Sequence, residues 1–375
     1  MGSVLDEIIK IASTSPMTFE GNLGNRHTIV TSGGDRTKTA YCFSVPIYHE
    51  NTGRIVDLRF RHGGNNLYEG SNVRVGIGDS IDLQNRFGNC KLFFSGTISK
   101  KTTESVCITS PDHYTEITPT LNGLLFKVSS LCKGRYAITM KVDKPYGSIN
   151  ANGKAFSLMR ERFTPLVTVS CIGTVNSRGE VIAPCEIQYQ KVSEWEYCLT
   201  FESKSRHGKS IWFEINMHDV KLVQDTTVDD RHPKENNAFG GTAFLGKTDM
   251  LGQQWLYSRL QLTNLPQPQN KVIRSAVLHI PNFGCAYGLL NASRISTRFC
   301  SFGSTWENKI SVTEEFTESV FSRGYYHLDM TSLFRNGKWE DHNFVLRAKN
   351  SQNKPVVVST GDSFYRPQIL EVKYF

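Results

Sequence analysis

The sequence predicts an all-β protein: an antiparallel, jelly-roll-like β-sandwich at the C-terminal end, preceded by one or two further β-rich domains and a short N-terminal helix. Three observations predict this. Short runs rich in β-branched and aromatic residues recur with period-two alternation. Gly-, Asn- and Asp-rich turns separate them, as in SGGD, HGGNN, LNG and NSRG. Long stretches of helical periodicity, which a parallel α/β fold would need, do not occur in the pattern.

The first element is the exception. Val4, Leu5, Ile8, Ile9 and Ala12 fall on one helical stripe with Ser3 as N-cap, which predicts a short amphipathic helix over 1–15. The stretch MGSVLDEIIKIAS has no basic n-region and carries Asp6 and Glu7, so it does not read as a secretory signal. After Ser15-Pro16 the period changes to two. YCFSVPIY, RIVDLRF, NVRVGIG, KLFFSGT and GRYAITMKV predict strands of a sandwich-like domain over 16–145. Turn residues in KPYGSINANGKAF mark a boundary, and PLVTVSCI, EYCLTFES and SIWFEINM then form a small β domain over 146–222 or continue the first. VGIGDS, Val75 to Ser80, reads as a hairpin turn and not as a phosphate-binding loop, because no third glycine and no helix follow.

A second boundary falls near Val223, before the polar segment QDTTVDDRHPKENNAFGG. In WLYSRLQL, Leu256, Leu260 and Leu262 face one way, and Trp255, Tyr257, Arg259 and Gln261 the other. VIRSAVLHI, NFVLRA and ILEVKY alternate in the same way, with Leu370, Val372 and Tyr374 facing the core. One apolar and one polar face per strand describes antiparallel sheets with a wet side.

Composition bounds the function. With 375 residues, 39% of them hydrophobic and 21% charged, the chain has the makeup of a globular protein with several domains. No window approaches eighteen apolar residues, so membrane insertion is not expected. The net charge of +8 is spread along the chain, which argues against a nucleic-acid partner. The nine cysteines form no CxxC and sit mostly in strand-like runs, so they read as reduced thiols of a protein made in the cytosol, and zinc is not expected.

The catalytic signatures GxSxG, HExxH and GxxxxGK[ST] are missing from the sequence, and non-enzymatic function is expected. Asp229-Asp230 and Glu314-Glu315 are adjacent carboxylates, which point apart and do not face each other across a sugar. No cofactor is certain; Asp225, Asp229, Asp230 and Asp362 are the residues that could hold a structural calcium, if the first and last strands of the C-terminal domain lie side by side. A sugar is bound by flat rings on wet faces with polar groups beside them. Trp255, Tyr257, Tyr325, Trp339 and Tyr365 are the candidate rings, and Arg366 the candidate hydrogen-bond donor. His279 reads as a structural histidine.

The order QDTTVDD, PKENNAFGGTAFLGK, SRLQLTNLP, VIRSAVLHIP, STRFCSFGSTWENK, YYHLDMTSLFRNGKW, NFVLRAKN and VVVSTGDSFYRPQILEVKY resembles the disaggregatase-related (DNRLRE) domain family over residues 223–375. Best matched are the turn from Asn236-Asn237 to Gly240, the step from Leu265-Pro266 to Ile273-Arg274-Ser275-Ala276, and Arg366-Pro367. Phe334 stands where the family usually has Trp, and Gln261 and Thr263 where it has a small acidic residue. The resemblance implies a jelly-roll-like sandwich of carbohydrate-binding type and places Trp306 in the core. Residues 1–222 resemble no family.

Together these features lead to an expectation: a non-catalytic, surface-binding adhesion protein, made without a signal peptide and acting at the cell exterior or on a particle. The expected particle is a phage virion or phage-tail-like assembly, in which the chain is a homo-oligomer (a trimer among the options) contacting other subunits and cell-surface glycan or polysaccharide. The alternatives are a purely structural decoration protein and a glycan-active enzyme with its catalytic residues in 1–222.

Overall fold

The computed structural model describes residues 26–32, 37–63, 65–129, 134–144, 148–161, 163–203, 210–265, 272–285, 288–334, 339–350 and 353–375. The expected N-terminal helix lies outside them. The described residues form antiparallel strands and two 3₁₀ turns, Leu262–Asn264 and Thr331–Leu333, and none of their helices could cross a membrane.

Among the described residues the strands make four sheets, paired face to face as two sandwiches. Sheets of eight and nine strands form the first, from Arg61–Gly63 through Ser210–Met217. Its core is aromatic: the Phe213 ring stacks on its cross-strand partner Phe126 at 4.8 Å and meets Phe201 of the facing sheet at 3.9 Å. Sheets of six and seven strands form the second sandwich around Leu256, Leu278, Phe344, Leu346, Leu370 and Val372.

The strands Glu196–Ser203, Ser210–Met217 and Ile369–Tyr374 coincide with EYCLTFES, SIWFEINM and ILEVKY. Arg74–Ile77 and Ile81–Asn85 pair as the hairpin expected around VGIGDS. RIVDLRF is different. Only Ile55 bridges a neighbour, Tyr48, while Val56 and Phe60 are buried anchors of a segment crossing between the sandwiches. Alternate burial serves a crossing segment as well as a strand, and its pairing among the described residues is short: His49 N donates to Arg54 O at 2.8 Å and Val56 N to Ile47 O at 2.9 Å.

Two domain limits are corrected. Thr28–Ser32 and Lys38–Phe43 belong to the second sandwich, because Lys38–Phe43 pairs along its whole length with Ile369–Tyr374. The first sandwich is therefore an insertion between the opening and remaining strands of the second. KPYGSINANGKAF is no boundary: Ser148–Ala151 and Ala155–Glu161 are a hairpin of the nine-stranded sheet, turning at Gly153 with φ 74°. QDTTVDD, expected as part of a polar segment, is the strand Val223–Asp229, in which Asp225, Thr226, Thr227 and Asp229 are buried.

The sandwiches share a packed junction. Leu125, Ile172, Val175 and Val181 of the first meet Phe244, Phe283 and Val357 of the second. Gly241 N donates to Ser170 Oγ at 2.6 Å, and Val181 N to Phe283 O at 2.8 Å. The closing loop 361–366 completes the contact. Gly361 passes so close to Val223 that a Cβ there would sit 2.6 Å from that side chain, so no larger residue fits. Beyond it, the buried Glu214 carboxylate accepts from Ser363 Oγ (2.7 Å), Phe364 N (2.9 Å), Tyr365 N (3.2 Å) and its own strand neighbour Asn216 Nδ2 (2.8 Å).

Candidate functional site

Beside this fastening the junction opens into a cleft of about 240 Å³. Residues from both sandwiches line it. Phe163 comes from the turn between Ala155–Glu161 and Thr164–Val175, and His218 and Lys221 from the connection between the sandwiches. Asp225 comes from Val223–Asp229, and Phe239, Phe302 and Asp362 from loops of the second. Clefts at the meeting of two folded units are common ligand sites, because two surfaces supply what one convex surface cannot.

Three rings form one wall. Phe163 and Phe302 lie 4.6 Å apart at 32°, and Phe302 and Phe239 5.2 Å apart. Phe163 is 48% exposed, unusual for a ring with aromatic neighbours. Phe239 has φ 71°, a left-handed conformation that costs a bulky residue on the order of 1–3 kcal/mol and concentrates at functional sites.

The opposite wall is charged. Lys221 pairs with Asp362, and its Nζ lies 5.5 Å above the Phe239 ring. Asp225 is buried, accepts from Gly361 N at 2.5 Å and hydrogen-bonds to Asp362. Burial, and after it the charge of Asp362, hold the Asp225 carboxyl well above the usual range, so the pair retains a proton. Burial, then the Lys221 charge, push His218 down to about 4, and its buried Nδ1 has no hydrogen-bond partner. The cleft thus offers flat apolar surface, a cation and a proton-sharing acid pair.

The expected site residues do not gather in one place. Asp225 and Asp362 meet in the cleft, but Asp229 lies four residues further along its strand, roughly 13 Å away. There it accepts from Arg231 N, His232 Nδ1 and Gln254 Nε2, while Asp230 accepts from Gln253 N. The four carboxylates expected around a calcium are therefore split. Among the described residues no three His, Cys, Asp or Glu side chains gather as a metal would require.

Tyr257, expected on the wet face, is fully buried. The loop carrying Phe299 and Ile310 covers that face, and the Tyr257 hydroxyl donates to Ile310 O at 2.8 Å. Tyr325 is also buried, at 6% exposure. Trp339 is half-buried against Phe334. Tyr365 packs between Trp212 and Phe283, so it belongs to the junction. Arg366 is exposed, lies over Phe283 and Tyr365, and donates to Asn282 O at 3.1 Å.

Trp255 is half-buried on the outer face of the seven-stranded sheet, 5.1 Å from Trp306, with the Arg347 guanidinium 5.8 Å from its ring. Trp306 thus lies over the sheet and not in the core between the sheets. Asn291, beside Arg347 in the ladder, donates to Glu315.

Sequence reasoning missed Phe163, Phe239, Phe302, Lys221 and His218. The one local signal is AFGG, where paired glycines follow a ring and allow a sharp loop.

No family model matches this chain, and no curated protein matches it. Among solved structures, the N-terminal domain of an adhesin from Streptococcus gordonii aligns over 93% of this chain and 97% of its own at 10% identity. Its TM-score is 0.20, a level at which the alignment carries no argument about fold or role.

Proposed function

We propose that this chain is an adhesion protein that grips cell-surface glycan, without cleaving it, in the cleft between its two sandwiches, as a homo-oligomeric component of a virion or phage-tail-like particle. The observation that carries the reading is the exposed Phe163 ring, set against Phe302 in a cleft that Lys221, Gln224, Asp225, Gln261 and Asp362 also line. A sugar presents C–H groups to such a ring and hydroxyls to its surroundings. Gln224, Gln261 and Lys221 stand in the same cleft to meet those hydroxyls.

Binding fits the acid pair better than hydrolysis does. Glycosidases hold their two carboxyls about 5–9.5 Å apart, on either side of the scissile bond. Asp225 and Asp362 hydrogen-bond to each other, so no sugar passes between them. The particle context rests on cysteine usage: Cys42, Cys90 and Cys107 are buried thiols, and burial pushes Cys42 up to about 12.

A glycan array probed with the intact chain tests the reading. Binding abolished by Phe163→Ala supports it. Binding that survives Phe163→Ala and is lost in Trp255→Ala moves the site to the outer face. A blank array leaves the chain a structural subunit.

A further inference from the structure

The outer face of the six-stranded sheet carries a line of four polar side chains far from the cleft residues in the ladder. Val320–Ser322 turns through Arg323 (φ 52°) and Gly324 (φ 83°) into Tyr325–Asp329, a two-residue hairpin of the type that matches strand twist. Ser322 Oγ lies 2.8 Å from His327 Nε2. His327 Nδ1 lies 2.6 Å from Nδ1 of His279, its direct partner on Ile273–Pro281. His279 Nε2 lies 3.1 Å from Glu371 Oε2 on Ile369–Tyr374.

His327 Nε2 also lies 3.3 Å from Ser322 O, a longer contact that competes with the one to Oγ. With both imidazoles neutral and the shorter Oγ contact made, one arrangement of protons satisfies the three contacts of the line. The Glu371 carboxylate can only accept, so His279 donates from Nε2 and accepts at Nδ1. His327 therefore donates from Nδ1 and accepts at Nε2, where the Ser322 hydroxyl donates. The line runs from His279, which is 8% exposed, outward to Ser322 at the surface. Lys373 Nζ holds the other Glu371 oxygen at 3.0 Å; Tyr41, Arg323 and Tyr325, whose ring lies 6.4 Å from that of His327, are further titratable or charged groups beside the line among the described residues. Burial, followed by the neighbouring His279, lowers the His327 pKa, which favours the neutral base near pH 7.

We propose that Ser322 is an activated nucleophile toward short-chain acyl esters, with His327 as its general base and His279 and Glu371 as positioning residues. Nucleophile, base and orienting groups in hydrogen-bond sequence are what such chemistry requires. Ser322 Oγ attacks the ester carbonyl carbon as its proton passes to His327 Nε2. The tetrahedral adduct expels the alcohol, which takes that proton. Water, deprotonated by His327, then attacks the acyl-serine, releasing the acid and restoring Ser322. Ester and water become acid and alcohol, with no further reactant. The site shares no residue with the cleft and does not rest on the glycan reading.

The test uses the intact chain with p-nitrophenyl acetate and a fluorophosphonate probe, followed by peptide mass mapping. The expected result is a stoichiometric burst of p-nitrophenol and a fluorophosphonate adduct on Ser322. Ser322→Ala removes both, and His327→Asn lowers the acylation rate about 100-fold or more. The rate should fall at acid pH as His327 protonates, with a midpoint below the usual histidine value. Glu371→Gln should move that midpoint lower still, which a purely structural role would not do. Thermal melts check folding. If His327→Asn does not fold, the exposed Ser322→Ala variant decides alone. No adduct on wild type, or a burst that survives Ser322→Ala, overturns the proposal.

Discussion

Glu214 and Asp225 are two buried acids at one junction, and both touch the loop 361–366. Glu214 meets only donors: Ser363 Oγ, Asn216 Nδ2 and two backbone N–H groups. Burial pushes its carboxyl up and those donors pull it back. Asp225 has one backbone donor, Gly361 N, and otherwise faces a second acid, Asp362. Desolvation is thus offset by hydrogen bonds at Glu214, while Asp225 lies beside a repelling charge that a shared proton must relieve. The first arrangement fastens two sandwiches together. The second leaves unspent hydrogen-bonding and charge at the edge of a cleft, where an entering ligand can use it.

Four variants break or sharpen this contrast. Glu214→Ala should have the largest effect. It leaves the loop donors buried without an acceptor and should cost about 3–5 kcal/mol in denaturant unfolding. Lys221→Met removes the cation that neutralises the acid pair. It should cost about 2 kcal/mol at neutral pH, and less in acid where both carboxyls are protonated. Asp225→Asn should act in the opposite direction. Asp225 holds its proton more tightly folded than unfolded, so its contribution falls as pH rises from the ordinary carboxylate range through its folded pKa. The variant lacks that slope, and in melts across pH it should gain on wild type toward neutral pH and lose the advantage toward pH 3. Phe163→Ala should change stability least, by less than about 0.5 kcal/mol, because the ring is half exposed.

Much of the fold was legible, because a strand with one dry face writes period two into its own residues. ILEVKY and SIWFEINM show it, and Glu214 is visible as the acid of an otherwise largely apolar strand. Pairing was not legible. Nothing local in KTAYCF says that it lies beside the last strand, since ladder partners far apart in sequence share only backbone chemistry. Turn residues likewise look alike in a hairpin and in a linker, as KPYGSINANGKAF shows. The site was least legible. Tyr257 alternates as a wet-face residue should, but a loop distant in sequence covers that face. The cleft takes Phe163, Phe239 and Phe302 from three separate turns, and the Ser322 line takes its members from four strands.

The central claim is that the junction separates its structural acid from its binding wall. Isothermal titration of wild type and Phe163→Ala with the strongest glycan from the array, beside melts of both proteins, tests it most directly. The account predicts equal melting temperatures and an affinity lowered at least about tenfold in the variant, the loss of one stacking contact. Equal affinities for the two proteins would contradict it.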